Sequence, residues 1–124
     1  MKLLIDTHVA LWFLEGDSSL SAVALSLIED GAIERRLSAA SVLEVAIKRS
    51  TGKLRAPADF HERMERKGVR GLSITDAHAA AVADLPAHHK DPFDRLLVAQ
   101  AMAEGMSILS KDEILHLYDV PVVW

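Results

Sequence analysis

The chain has 124 residues, a formal net charge of −4, and hydrophobic side chains at half of its positions. That length fits one domain, and that hydrophobic content suffices for a core without covalent staples. With no cysteine, disulfides, cysteine nucleophiles and thiolate zinc sites are excluded, which suits a reducing cytoplasm.

In chain order, Lys2 to Ile5 reads as a short buried strand. Asp6 and His8 interrupt the apolar run before it resembles a signal peptide, and no apolar stretch approaches the roughly 20 residues of a membrane span. A soluble, cytoplasmic protein without membrane contact is expected. Thr7 to Leu14 looks helical, and Gly16 to Ser19 is a turn. Leu20 to Asp30 has helical spacing, with Gly31 as C-cap. Arg36 to Ala39 reads as a short strand. Ser41 and Glu44 have capping-box spacing and open a helix through Arg49, which Gly52 ends. Pro57 to Lys67 is a charged helix closed by Gly68. Gly71 to Ile74 is a candidate strand, and Thr75 caps an alanine-rich helix. Pro86 to Pro92 is a loop, with Asp91 as N-cap and Pro92 as first residue of the next helix. Phe93 to Glu104 is apolar nearly all round and is expected to be central and buried. Met106 to Leu109 is a strand, Asp112 to Leu117 a short helix, and Val120 to Val123 a last strand. Short apolar strands alternating with helices imply an open parallel sheet wrapped by helices, in one domain over 1–124.

Charge is unevenly spread. Arg35 to Arg70 holds ten basic and four acidic residues, whereas the rest holds four basic and fourteen acidic. Such asymmetry gives an acidic protein a face for a polyanion, and the bland alternative is a pair of solvated helices.

Four acids occupy similar places. Asp6 follows the first strand, Glu44 lies in the first turn after the second, Asp94 in the first turn of the buried helix, and Asp112 after the strand ending at Leu109. In an open parallel sheet these positions gather along one edge, where ligands bind. Each acid alone is better explained as a helix cap. Four together near the core carry uncompensated like charge, whose natural counterweight is a hard divalent cation with oxygen ligands. Mg²⁺ or Mn²⁺ suits this set, and such ions activate water for displacement at phosphorus. Phosphodiester hydrolysis is the favoured chemistry, with the basic segment as the place for a nucleic-acid backbone.

Other residues carry weaker signals. Adjacent His88 and His89 read as a solvated loop or substrate contact rather than as metal ligands, for lack of any metal-binding histidine spacing. His61, His78 and His116 read as surface residues on helices. Thr7 and Ser110 are placed to orient carboxylates or waters, or simply to cap helices. Arg95 pairs with a neighbouring acid or touches phosphate. Trp12, Phe13 and Phe93 read as core. Among rival functions, a receiver-like phosphoacceptor lacks an acceptor acid between Thr51 and Pro57. A non-catalytic nucleic-acid-binding module leaves the acids unexplained. A dinucleotide-binding domain lacks its glycine-rich turn at Asp6-Thr7-His8.

Leu4-Ile5-Asp6-Thr7-His8, Ser41-Val42-Leu43-Glu44 followed by Gly52-Lys53-Leu54, His88-His89-Lys90-Asp91-Pro92-Phe93-Asp94-Arg95, and Ser110-Lys111-Asp112 together resemble the PIN-domain family, in particular the VapC-type toxins of bacterial toxin–antitoxin pairs. The resemblance spans nearly the whole chain. It implies a three-layer α/β/α sandwich with a short, mainly parallel central sheet, and Mg²⁺-dependent endoribonuclease activity, with Mn²⁺ as the alternative ion. It further implies a homodimer, an RNA substrate and a cognate antitoxin. Asp6, Glu44, Asp94 and Asp112 would form the metal-binding and catalytic quartet. Asp91, Thr7 and Ser110 would be accessory, and Lys48, Arg49, Lys53 and Arg95 would meet the substrate. The sequence departs from the family's commonest pattern at His8, where Asn is frequent, and at Ser110, where Thr is usual.

Overall fold

The computed structural model describes residues 1–124. Five strands form one sheet: β1 (Lys2–Ile5), β2 (Glu34–Ser38), β3 (Arg70–Leu72), β4 (Ser107–Leu109) and β5 (Val122–Val123). Their order across the sheet is β3-β2-β1-β4-β5, and every neighbouring pair is parallel. Six α-helices connect them: α1 (Thr7–Glu15), α2 (Ala22–Glu29), α3 (Ala39–Ser50), α4 (Phe60–Arg66), α5 (Asp76–Ala81) and α6 (Pro92–Glu104). Short 3₁₀ turns follow at Val82–Asp84 and Glu113–Leu117. No helix is long and apolar enough to cross a membrane.

The two-residue period of β1 divides the core. Leu3 and Ile5 point to one face of the sheet and pack with Val9 and Ala10 of α1, Ala24 and Ile28 of α2, and Phe60 and Met64 of α4. Leu4 points to the other face, with Leu97, Val98 and Ala101 of α6, Ile108, Leu115 and Tyr118. This is the expected layering of helices on both faces of a parallel sheet. The central part of α6, Leu97 to Ala101, is buried as its composition demands, although Met102 reaches solvent.

Several local expectations shift. The second strand begins at Glu34, two residues before the predicted start, and Ser38 rather than Ser41 caps the following helix, accepting from the Ala40 N–H at 3.0 Å. Glu44 therefore sits in the second turn of α3, and its role as a capping-box acid falls away. Gly31 is not a left-handed C-cap: α2 ends at Asp30 in extended backbone, and the left-handed glycines are Gly16, Gly52, Gly68 and Gly105. The third strand ends at Leu72, and the last strand starts only at Val122. His78 is buried rather than on the surface. Its Nδ1 accepts from the Thr75 N–H while the Thr75 hydroxyl caps α5, and its Nε2 lies 2.8 Å from a Glu104 carboxylate oxygen.

The strand order positions the site. After β1 the chain builds outward to β2 and β3, then returns to lay β4 on the opposite side of β1. In such sheets a crevice opens beyond the carboxyl ends of the two strands where the direction reverses. Asp6 leaves β1 at that point, and Ser110 and Asp112 leave β4. The Asp6 N–H donates to the Leu109 carbonyl at 3.0 Å, so the two exits are tied together.

Candidate metal centre

Asp6 occupies the N-cap position of α1, yet its carboxylate makes no capping hydrogen bond. Instead it accepts from the Ser110 hydroxyl at 2.6 Å. The chain thus leaves a nearly buried carboxylate free of local structural duty, and burial raises its pKa above the ordinary value. Thr7, the next residue, is buried and donates its hydroxyl to Ser41 Oγ at 2.8 Å. That bond joins the start of α1 to α3, one helical turn before Glu44.

Asp94 lies in the first turn of α6 but does not cap it. Asp91 performs that task, accepting from the Phe93 and Asp94 N–H groups at 2.8 and 3.3 Å. Asp94 is pushed up to about 7, first by burial and then by the carboxylates of Asp6 and Asp91, with the Glu44 charge adding and His89 opposing. Asp112 serves twice. One oxygen accepts from the Ile114 N–H at 3.0 Å and caps the 3₁₀ turn, and the other meets His89 Nε2 at 2.8 Å.

His89 departs most from the sequence reading. Its ring is not a solvated loop group: Nε2 stands between Asp112 and Asp94, 3.3 Å from the latter's Oδ2. One donor atom each from His89, Asp94 and Asp112 fall within 4.8 Å of one another. With Asp6, they line a cavity of about 540 Å³ whose walls also include His8, Trp12, Lys111 and Glu113. Oxygen-rich donors with excess negative charge and no thiolate fit a hard divalent cation. His89, Asp94 and Asp112 are the donors that lie close enough to share one, and Asp6 lines the same cavity.

Glu44 is buried on α3 and is not part of that cavity wall, although its charge is felt at both Asp6 and Asp94. Its carboxylate is held by Lys48 Nζ at 2.6 Å. That bond raises the Lys48 pKa, and the charges of Asp91 and Asp94 act in the same direction. Lys48 is therefore neutralising the acidic region rather than standing free. Arg49 and Lys53 are exposed at the end of α3 and just beyond it. Arg95 is engaged elsewhere: its guanidinium donates to the carbonyls of Val82, Leu85 and Pro86 and to Tyr118 Oη, which holds the 82–86 segment against α6. It pairs with no acid. A larger cavity of about 1000 Å³ lies between α3, α4 and β3, but its walls bring no acids together and carry only Glu65.

Sequence reasoning missed the parts played by His89, Tyr118 and Ser41. Ser41 had a usable signal, since it precedes Glu44 by one turn on the same helix face. The place of Trp12 beside the acids was also missed. That ring packs edge-on to Trp124, as expected of core, yet it also borders the acidic crevice.

An all-parallel sheet with carboxylates gathered at its switch point defines a class, and the sequence profile of the PIN domain matches residues 3–121. The chain belongs to the PIN-domain family. It is 34% identical to Ribonuclease VapC22 of Mycobacterium tuberculosis over 127 residues, covering 98% of this chain and 97% of that protein. Its fold is similar to a chain of the crystal structure of VapBC2 from Rickettsia felis bound to a DNA fragment from their promoter, with TM-score 0.70 and 11% identity over 99% of this chain and 98% of that one. It is also similar to a chain of FitAcB from Neisseria gonorrhoeae, with TM-score 0.63 and 20% identity over 98% and 96% of the two chains. At those identities the structural likeness speaks to the fold alone.

Proposed function

We propose that the chain is a metal-dependent endoribonuclease and the toxin of a toxin–antitoxin pair, with residues 1–124 acting as one nuclease domain. The observation that carries the catalytic reading is the convergence of Asp6, Asp94 and Asp112 on one crevice, with Asp94 pushed up to about 7. Its end-to-end likeness to a ribonuclease supports RNA as substrate. The similar folds found in VapBC2, bound there to a DNA fragment from its promoter, and in FitAcB agree with a protein antitoxin as partner. A homodimer and a cytoplasmic location belong to the same reading.

Mg²⁺, or Mn²⁺ in its place, held by Asp6, Asp94 and Asp112 would supply Lewis-acid stabilisation of charge on the phosphate and a more acidic water. The protein's own residues do the rest. Ser110 fixes the Asp6 carboxylate by donating its hydroxyl proton. Asp91 orients the first turn of α6 and leaves Asp94 free. Glu44 adds negative charge from the α3 side, moderated by Lys48. Arg49 and Lys53 are exposed cations on the basic segment and meet the RNA backbone. Arg95, bound to carbonyls, is assigned to structure rather than substrate.

The biological half of the proposal is tested by expression. The chain alone arrests growth, and co-expression of its antitoxin relieves the arrest. Harmless expression of a chain that cleaves RNA in vitro would point instead to housekeeping RNA processing. Mapping the ends of cleaved mixed RNA identifies the sequence cut.

A further inference from the structure

His89 stands inside the acidic cluster, yet its ring is arranged as a donor. Nδ1 accepts a hydrogen bond from the Asp91 backbone N–H at 3.1 Å. A ring nitrogen that accepts carries no proton, so the proton of the neutral imidazole sits on Nε2. That N–H donates to Asp112 Oδ2 at 2.8 Å, and Asp94 Oδ2 lies 3.3 Å from the same nitrogen. The two carboxylates come from different elements, α6 and the segment after β4, and repel one another. Ligation of a metal through Nε2 would require that lone pair, hence a shift of the proton to Nδ1, directly against the Asp91 N–H.

The loop that carries the ring is itself held. The His89 N–H donates to Tyr118 Oη at 2.8 Å, and Arg95 Nη1 donates to the same oxygen at 3.4 Å. Arg95 is fixed in turn by the carbonyls of Val82, Leu85 and Pro86. The His88 ring packs edge-on against Tyr118 with centroids 5.1 Å apart. Backbone, ring tautomer and ring direction of His89 are thus each set by a separate partner.

We propose that His89 is a positioning residue of the metal centre. As the Nε2–H tautomer it anchors the Asp112 carboxylate beside Asp94, remains outside the metal's own ligand set, and is held in place by Tyr118 and Arg95. This rests on the acidic cluster being a metal site. The Asp112 carboxylate has two oxygens and so can accept from His89 while offering lone pairs to a cation. Removing the donor frees two like charges to swing apart, and outer partners of metal ligands commonly account for about 10- to 100-fold in affinity.

The test measures Mg²⁺ binding alone, by calorimetry and by Mg²⁺-dependent melting, together with ¹⁵N imidazole spectra of the wild-type protein. The Nε2–H tautomer is expected both without and with Mg²⁺. His89→Ala is expected to weaken Mg²⁺ binding by about 10- to 100-fold. His89→Gln, whose amide N–H reaches toward the same carboxylates, is expected to recover part of that loss. Tyr118→Phe removes only the hydroxyl that holds the loop and is expected to weaken binding by a smaller factor. A Nε2 that loses its proton on addition of Mg²⁺ would make His89 a ligand and overturn the proposal, as would His89→Ala or Tyr118→Phe binding Mg²⁺ as wild type does. The spectra need no variant, so a misfolded substitution leaves that arm decisive. Failure of wild type itself to bind Mg²⁺ removes the metal reading of the cluster, and the inference about His89 with it.

Discussion

Asp94 lies in the first turn of α6 without capping it. Sequence spacing makes it the third-position partner of Asp91, and a capping role would be the simple explanation. The structure gives the cap to Asp91 and sends the Asp91 N–H to His89, so nothing local requires the Asp94 charge. Its folded pKa, about 7, lies above the ordinary carboxylate value because burial and the Asp6 and Asp91 carboxylates disfavour ionisation. The folded state therefore holds this proton more tightly than the unfolded chain does. Below about pH 4 both states are protonated, and the group has no effect on the difference between them. As pH rises from about 4 to about 7, the unfolded chain ionises first and the folded state is progressively disfavoured, at roughly 1.4 kcal/mol per pKa unit of difference before solvent and relaxation reduce it. Asp94→Asn removes the charge at nearly constant volume. It is expected to raise the melting temperature in EDTA at pH 7.5 by a few degrees, the scale of about 1 kcal/mol in a small domain. The gain should shrink when the melts are repeated near pH 4.5. A lower melting temperature at pH 7.5 would return Asp94 to a structural role.

Elements differ in how far sequence alone describes them. Helix α6 was legible almost to the residue, because its cap, its N1 proline and its terminal glycine are all local signals. The N-terminus of α3 was not. Two serines three residues apart both fit, and the choice of Ser38 depends on distant chain: Ser38 also donates to Gln100 Oε1 of α6, while Ser41 is taken by Thr7 of α1. Likewise His78 is buried with its Nε2 2.8 Å from Glu104, 26 residues away, a pairing that no helical period reveals. The positions of Asp6, Asp94 and Asp112 were legible because strand exits and helix starts are local features, whereas Glu44 falls in the second turn of α3 and off the cavity wall. His89 was not, since Tyr118 and Asp112 fix it from the far end of the chain. Ser38→Ala is expected to lower stability by about 1–2 kcal/mol, near the upper part of the range for a lost N-cap, because Gln100 also loses a buried partner. Urea denaturation measures this, and a change below about 0.3 kcal/mol would remove Ser38 from the account of α3. Gly68 has φ of +86°, and a Cβ there would meet Arg35 Nη2 at 2.7 Å. Gly68→Ala should therefore destabilise the α4–β3 turn by more than about 1 kcal/mol in the same assay. A neutral result would show that the Arg35 side chain moves aside freely and that the left-handed turn tolerates a side chain.

At the scale of the molecule, one topological fact organises the rest. Reversal of strand order between β1 and β4 opens the crevice, and the acids are the residues that leave those strands or begin the nearest helix. Cations are grouped along the chain on α3, α4 and their loops, in a protein whose net charge is negative. RNA affinity should fall with salt, and the double variant Arg49→Ala/Lys53→Ala should flatten the slope of log affinity against log salt by up to about one unit for each phosphate that these cations neutralise. Lys48 is left in place because it pairs with Glu44. An unchanged slope would mean that these cations are ordinary solvated surface. The central claim, that Asp6, Asp94 and Asp112 form a metal-dependent ribonuclease site, is tested most directly by cleavage of mixed RNA by wild type and Asp94→Asn in Mg²⁺ and in EDTA. Wild type should cleave in Mg²⁺ and stop in EDTA, and Asp94→Asn should lose at least about 100-fold in rate in Mg²⁺, the scale on which one charge-stabilising group acts in hydrolysis. Cleavage by a folded Asp94→Asn protein at the wild-type rate, or wild-type cleavage undiminished by EDTA, would contradict it.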